Sequence, residues 1–130
     1  MTAFRFLSRF VVEYLHKAQI DRFGGSHGLR DEGMLESALA RPINKAAYGS
    51  EDVIELAAAY LFGLARNHCF IDGNKRIAIA AAGIFLMDNG YEIETSDANL
   101  YTFVMGIAAG EIDEDGAIRF LRDFVVPYEG

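Results

Sequence analysis

Cysteine is almost missing from this chain. Cys69 is alone among 130 residues, so no internal disulfide can form, and a reducing compartment is expected. Tryptophan is absent and proline occurs only twice, which leaves few breaks in helical patterning. Cations are outnumbered, 12 Lys and Arg against 19 Asp and Glu. The resulting net charge of −7 excludes a protein whose main task is to grip nucleic acid, because that requires phosphate neutralisation. The longest apolar run, Ile77 to Met87, is too short to span a bilayer. The segment Met1-Thr2-Ala3-Phe4-Arg5-Phe6-Leu7 scatters its charges and lacks a signal-peptide core or small-residue cleavage site. The protein is therefore expected to be cytoplasmic, with no direct nucleic-acid and no membrane partner. No repeat, linker or low-complexity segment is visible, and there is no Walker-type Gly-rich loop. The length and a hydrophobic content of 52% predict one folded domain over residues 1–130.

The patterning that is present is helical. Ser8 is placed to cap a first helix to about Asp21, with Val11, Val12, Leu15 and Ala18 at helical spacing. His16 within it has no second ligand at helical spacing and is expected at the surface or core edge, without function. Phe23-Gly24-Gly25-Ser26-His27-Gly28 is a loop, a candidate mobile flap with His27 touching a partner. Asp31 opens a second helix that is expected to stop near Ala40, before Arg41-Pro42. Ser50 is expected to cap a third, from about Glu51 to Arg66, whose near-absence of polar surface makes it central. A fourth runs from about Asn74 to Met87, apolar nearly all round, and ends at Asp88-Asn89-Gly90. Tyr91 to Glu94 alternates like an extended segment. A fifth helix starts at Ser96 or Asp97 and ends near Ala109. A sixth starts at Asp113 and runs through Phe124 and Val125 to Pro127. The fold class is all-α, about six helices around two buried central ones.

Between the two central helices lies His68-Cys69-Phe70-Ile71-Asp72-Gly73-Asn74-Lys75-Arg76. His68 follows the third helix and has a side chain suited to proton transfer near neutral pH. Asp72 is a hard oxygen ligand of the kind magnesium takes together with water and phosphate oxygens. Gly73 leaves the backbone open to close approach. Asn74, Lys75 and Arg76 fall on the first turn of the next helix, where free N–H groups, the dipole and two cations can meet one anion. A base, a magnesium ligand and a phosphate cradle together point to phosphoryl or nucleotidyl transfer to a hydroxyl. Three other readings compete. Asp72-Gly73 can be a hairpin turn between Cys69, Ile71 and Ile77, Ile79, against which stands the alanine-rich run that follows. His68 and Asp72, four apart, can share a helix face on a metal, against which stand Gly73 and Asn74. Cys69 beside His68 can suggest a thiol nucleophile, but adjacent side chains in an extended loop point apart.

The stretch His68-x-Phe70-x-Asp72-Gly73-Asn74-Lys75-Arg76 resembles the signature of the Fic/Doc superfamily. Most Fic proteins have a second glycine where this chain has Lys75, and they transfer AMP from ATP. Lysine there resembles the Doc (death-on-curing) branch, the toxins of type II toxin–antitoxin modules. Gly24-Gly25-x-x-Gly28, Asp31-x-Gly33-x-Leu35-Glu36-Ser37-Ala38, Arg41-Pro42, Ala65-Arg66-x-His68, Phe85-Leu86-x-x-Asn89-Gly90 and Gly110-Glu111-Ile112 are also Doc-like, so the resemblance covers most of the chain.

The resemblance implies a Fic/Doc-like helical bundle and a protein Ser/Thr kinase of the Doc type. Such a kinase passes the ATP γ-phosphate to a translation factor, typically elongation factor Tu, and arrests translation. It implies ATP and Mg2+ as cofactors, His68 as catalytic base, and Asp72 as metal ligand. Gly73, Asn74, Lys75 and Arg76 would bind phosphates, with Arg66 a further candidate, and Phe70 would anchor the loop. Ile79 stands where most Fic proteins have another arginine, which counts against AMP transfer. No Ser/Thr-x-x-x-Glu-Gly/Asn self-inhibitory motif is present, so control is expected from a cognate antitoxin whose C-terminal segment folds into a groove. Two alternatives are a Fic-type adenylyltransferase and an inactive Fic-fold binding module.

Overall fold

Side chains that can accept a backbone N–H open five of the six helices. The computed structural model describes residues 3–128; Met1 and Thr2, the head of the segment read above for a leader, lie outside it, as do residues 129–130. Helix α1 (Arg9–Phe23) begins at Ser8, whose Oγ accepts from the Val11 N–H at 3.2 Å. Helix α2 (Glu32–Ala47) begins at Asp31, which accepts from Met34 at 3.0 Å. Helix α3 (Val53–Asn67) is capped by Asp52 through the Ile54 N–H at 2.9 Å. Helix α4 (Asn74–Asp88) has Gly73 at the cap position and no side-chain cap at all. Strand β1 (Tyr91–Ile93) leads to α5 (Asp97–Ala108), capped by Ser96, and α6 (Glu114–Phe124), capped by Asp113. The chain then ends its described part in β2 (Val125–Pro127).

This is the expected all-α architecture, with three local departures. The second helix does not stop before Arg41-Pro42; it continues to Ala47 with Pro42 inside it. Pro42 gives up one helical hydrogen bond, but it is buried with Leu35, Ala38 and Leu39, and this packing outweighs the local restriction. Ser50 does not cap α3. Its hydroxyl bonds Glu55 at 2.8 Å, and the carboxylate of Asp52 takes the cap two residues later. The sixth helix gives way at Val125 to a strand that pairs antiparallel with β1, Tyr91 opposite Pro127 and Ile93 opposite Val125. Proline is tolerated there because a two-stranded ribbon leaves outer edges where no N–H is needed. The hairpin reading of Asp72-Gly73 fails, since Asn74 to Asp88 is helix.

Helix α3 packs against α2, α4, α5 and α6, and Leu56, Ala57, Ala58, Ala59, Tyr60 and Leu61 are all fully buried. Helix α4 meets it with Ile77, Ala78, Ala81, Ala82, Phe85 and Leu86, the small residues allowing close approach. These two central helices carry the His68–Arg76 stretch between them, so its two ends are held by the core. Among the described residues no helix is long and apolar enough to cross a membrane.

Two buried protic groups belong to this core. Burial pushes the Tyr60 phenol up to about 12, although its oxygen accepts the Leu7 N–H at 2.9 Å, and pushes the Cys69 thiol up to about 11. Both hold their protons more tightly folded than unfolded. Their contribution to stability is therefore complete below the unfolded values of 9.0 and 10.0 and is lost as pH rises through the folded ones. Denaturant titrations from pH 8 to 12 are expected to show stability falling in that window, with a shallower fall in Cys69→Ala. Iodoacetamide is expected to label Cys69 in denaturant but not in the native state at pH 8.

Candidate active site

The turn from α3 into the loop places His68. It caps α3 in the left-handed region, φ 49°, ψ 52°, and is the one non-glycine residue with positive φ among those described. That conformation costs roughly 1–2 kcal/mol for a residue with a Cβ. It turns the chain sharply, leaving His68 exposed while Cys69, its neighbour, is fully buried. The opposite burial of the pair, with the thiol pushed up to about 11 by burial, removes the Cys69 nucleophile reading. The loop is tied from the α2 side. Arg30 donates its guanidinium to the His68 carbonyl at 3.1 Å, and the N–H groups of Arg30 and Asp31 share the Cys69 carbonyl at 2.8 and 3.1 Å.

Phe70 enters the core with 2% exposure and serves as the loop's anchor. Asn74 closes a ring around it. Its Oδ1 accepts the Phe70 N–H and its Nδ2 donates to the Phe70 carbonyl, both at 2.9 Å. The Asn74 amide is thus occupied in holding the loop, and what this residue offers outward is its backbone N–H at the start of α4. Gly73, at φ 75°, supplies the left-handed turn into that helix. A helix start without a side-chain cap leaves its first N–H groups unclaimed, next to the positive end of the dipole. Among the described residues no carboxylate pairs with Lys75 or Arg76. This end of α4 is a place where an anion gains several contacts at once.

The two arginines are held by aromatic rings. The Arg76 guanidinium lies 4.6 Å from the centre of the Phe23 ring of α1 and lines a cleft of about 590 Å³ with Gln19, Phe23, Ile79 and Tyr101. Arg66 lies over Phe62 at 5.5 Å, with Arg41 on the same ring at 5.4 Å, and its Nη1 stands 4.0 Å from the place a Gly110 Cβ would take. Nothing among these contacts joins Arg66 to the 72–76 turn.

Asp72 is exposed, and both carboxylate oxygens accept backbone N–H groups, Gly73 at 2.9 Å and Ser26 at 3.3 Å. Ser26 belongs to the Gly24–Gly28 loop, which is laced to the motif by a Leu29–Phe70 bridge and by the Ile71 N–H donating to Gly28 at 3.0 Å. The flap segment therefore lies directly on the acid. His27 pairs within the chain, with Asp21 at 2.9 Å. Asp72 is a suitable magnesium ligand in its chemistry: a hard anionic oxygen with lone pairs to spare. Among the described residues no group of three or more His, Cys, Asp or Glu side chains gathers around a metal position. The arrangement fits a magnesium ion bound by one carboxylate together with phosphate oxygens and water, which is that ion's usual habit.

Gly25 is what lets the flap approach. A Cβ there would lie 2.7 Å from Asp72 Oδ2 and 3.2 Å from Ile20 Cδ1, at φ +116°. Gly25→Ala is expected to displace the Asp72 carboxylate and, if that carboxylate holds magnesium with a phosphate ligand, to weaken that binding about tenfold, the scale of a lost supporting contact at a metal ligand. Calorimetric titration checks it, and unchanged affinity would mean that the flap does not set the position of the acid.

His16 is the residue that sequence reasoning missed. It is not at the surface or core edge but buried, with 3% exposure. Its Nε2–H donates to the Asp72 carbonyl at 2.7 Å, and its ring stacks on Phe70 at 3.8 Å and 13°. No local signal marks it, because its partners lie more than fifty positions away; only its period on the inner face of α1, with Val12 and Ile20, placed it inward.

A model of the Fic/DOC family matches residues 6–86. The chain is 38% identical over 109 residues to "Protein kinase doc" of Escherichia phage P1, covering 83% of this chain and 86% of that protein. It is 49% identical over 74 residues to "Toxin Doc" of Mycolicibacterium smegmatis, covering 55% and 56% respectively.

Proposed function

The chain belongs to the Fic/Doc family, on its Doc branch, and from that premise we propose that it is the toxin of a toxin–antitoxin pair. Its proposed activity is transfer of the ATP γ-phosphate to a hydroxyl of a translation factor, with elongation factor Tu the leading target. The observation that carries this reading is the uncapped start of α4, where no carboxylate among the described residues pairs with Lys75 or Arg76, with Asp72 beside it.

The proposed roles follow from each group's position. His68, exposed at the mouth of the loop, accepts the proton of the incoming hydroxyl as its oxygen bonds the γ-phosphorus. The bond from that phosphorus to the bridging oxygen breaks, and ADP leaves with the electron pair. The Asn74, Lys75 and Arg76 N–H groups with the Lys75 ammonium and Arg76 guanidinium hold the phosphates through charge-assisted bonds. Asp72 holds magnesium, which when bound neutralises charge on those phosphates. Lys75 fills space that a glycine would leave open and adds a charge, which favours presentation of the γ-phosphate over the α-phosphate. The relative named a protein kinase supports the same direction. Arg66, over the Phe62 ring, is proposed to contact a phosphate or the target.

Control is proposed to come from an antitoxin whose C-terminal segment seats in a groove of this chain, in the cytoplasm. Induced expression of the chain alone is expected to stop incorporation of labelled amino acids, and co-expression of the neighbouring gene's product to restore it. Uninterrupted protein synthesis on induction would contradict the toxin reading.

A further inference from the structure

We propose that His16 is a positioning residue of the phosphate site, acting through the peptide that joins Asp72 to Gly73; the claim rests on the reading of that site as a nucleotide-phosphate cradle. The partner of Nε2 is a carbonyl oxygen, so Nε2 carries the hydrogen and donates it, at 2.7 Å. A trans peptide is planar, and its C=O and N–H point in opposite directions. Drawing the Asp72 carbonyl inward to His16 therefore turns the Gly73 N–H outward, to the side where the Asp72 carboxylate lies and accepts it at 2.9 Å. The same peptide sets the entry of the chain into α4 and so the direction of the first free N–H groups of that helix.

Three further contacts hold the device. The His16 ring stacks on Phe70, the residue that Asn74 brackets with both amide atoms, so the imidazole packs on the same loop that it hydrogen-bonds. One turn on, Ile20 Cδ1 stands 3.2 Å from the place a Gly73 Cβ would take, and His16 Nε2 stands 3.5 Å from it. The Gln19 amide donates to the Arg76 carbonyl at 3.3 Å. Helix α1 thus grips both sides of the phosphate turn, at Asp72–Gly73 through His16 and at Arg76 through Gln19. The buried imidazole thus satisfies its donor on a carbonyl of the motif itself, so its hydrogen bond and its packing bear on the same loop.

Two substitutions separate the hydrogen bond from the packing. His16→Phe keeps a flat ring on Phe70 and removes the donor. His16→Gln gives up the ring and restores an N–H of similar reach. The measurements are the amide resonance of Gly73 by NMR without nucleotide, and the affinity for magnesium-ATP by calorimetry. In His16→Phe the Gly73 resonance is expected to move and affinity to fall about tenfold, the size of one lost hydrogen bond. In His16→Gln both are expected to return most of the way to wild type. A folded His16→Phe protein with the Gly73 resonance and affinity of wild type overturns the proposal, as does a His16→Gln protein no better than His16→Phe. If the wild-type chain binds no nucleotide while the Gly73 resonance follows the donor in both variants, the kinase reading falls and the loop-positioning role stands.

Discussion

Replacing His68 by alanine is expected to lower phosphate transfer by about two to four orders of magnitude, the usual contribution of a positioned general base. The substitution is expected to spare the fold, because the side chain is exposed and takes no part in the core. Alanine keeps a Cβ in the left-handed region, so the strain at φ 49° remains, and His68→Gly would be the variant that releases it. The loss should fall on kcat, with nucleotide affinity nearly unchanged, since the phosphates are proposed to be held by residues 74–76. Single-turnover kinetics together with a binding titration give that split. Equal losses in binding and turnover would mean that His68 holds the nucleotide rather than the proton.

The second large effect is on stability. Phe85→Ala is expected to cost about 3–5 kcal/mol, because the ring is fully buried. Phe85 meets Tyr60 of α3 at 5.0 Å between ring centres and Phe6 of the leading segment at 5.8 Å. It therefore joins α4, α3 and the chain's start, where the Leu7 N–H also reaches the Tyr60 hydroxyl. A loss of this size is a large fraction of a typical domain's stability. Urea titration should show the midpoint drop with the slope unchanged. Activity lost in Phe85→Ala should return on cooling or at low denaturant, whereas the activity lost in His68→Ala should not. An undiminished midpoint would mean that the interface between the two central helices is not the core described here.

Helices and motif were legible in the sequence for different reasons. The caps at Ser8, Asp31, Ser96 and Asp113 are local chemistry, visible within three residues of the N–H they accept. The apolar faces of α3 and α4 are periodic and long. The motif was legible because His68, Asp72, Gly73 and Lys75-Arg76 are adjacent in the chain. What was not legible depends on distant partners. Pro42 reads as a stop until the burial of its ring is known, and β2 has no meaning until Tyr91–Ile93 lies beside it. His16 reads as an isolated histidine because its two partners, Phe70 and Asp72, arrive only through the fold. The Gly25–Asp72 approach is of the same kind: a loop composition suggests mobility, while the structure lays it on the acid.

The central claim is that the start of α4 presents a γ-phosphate to a protein hydroxyl. Intact-mass spectrometry tests it most directly. The purified chain is incubated with magnesium-ATP and purified elongation factor Tu, and in parallel with a cell lysate, with His68→Ala as the control. A gain of one phosphate on the target, absent with His68→Ala, is expected. A gain of AMP on the target would contradict it and assign this chain the adenylyl-transfer chemistry despite Lys75. No mass gain on any protein would contradict it as well and leave the fold as a binding module.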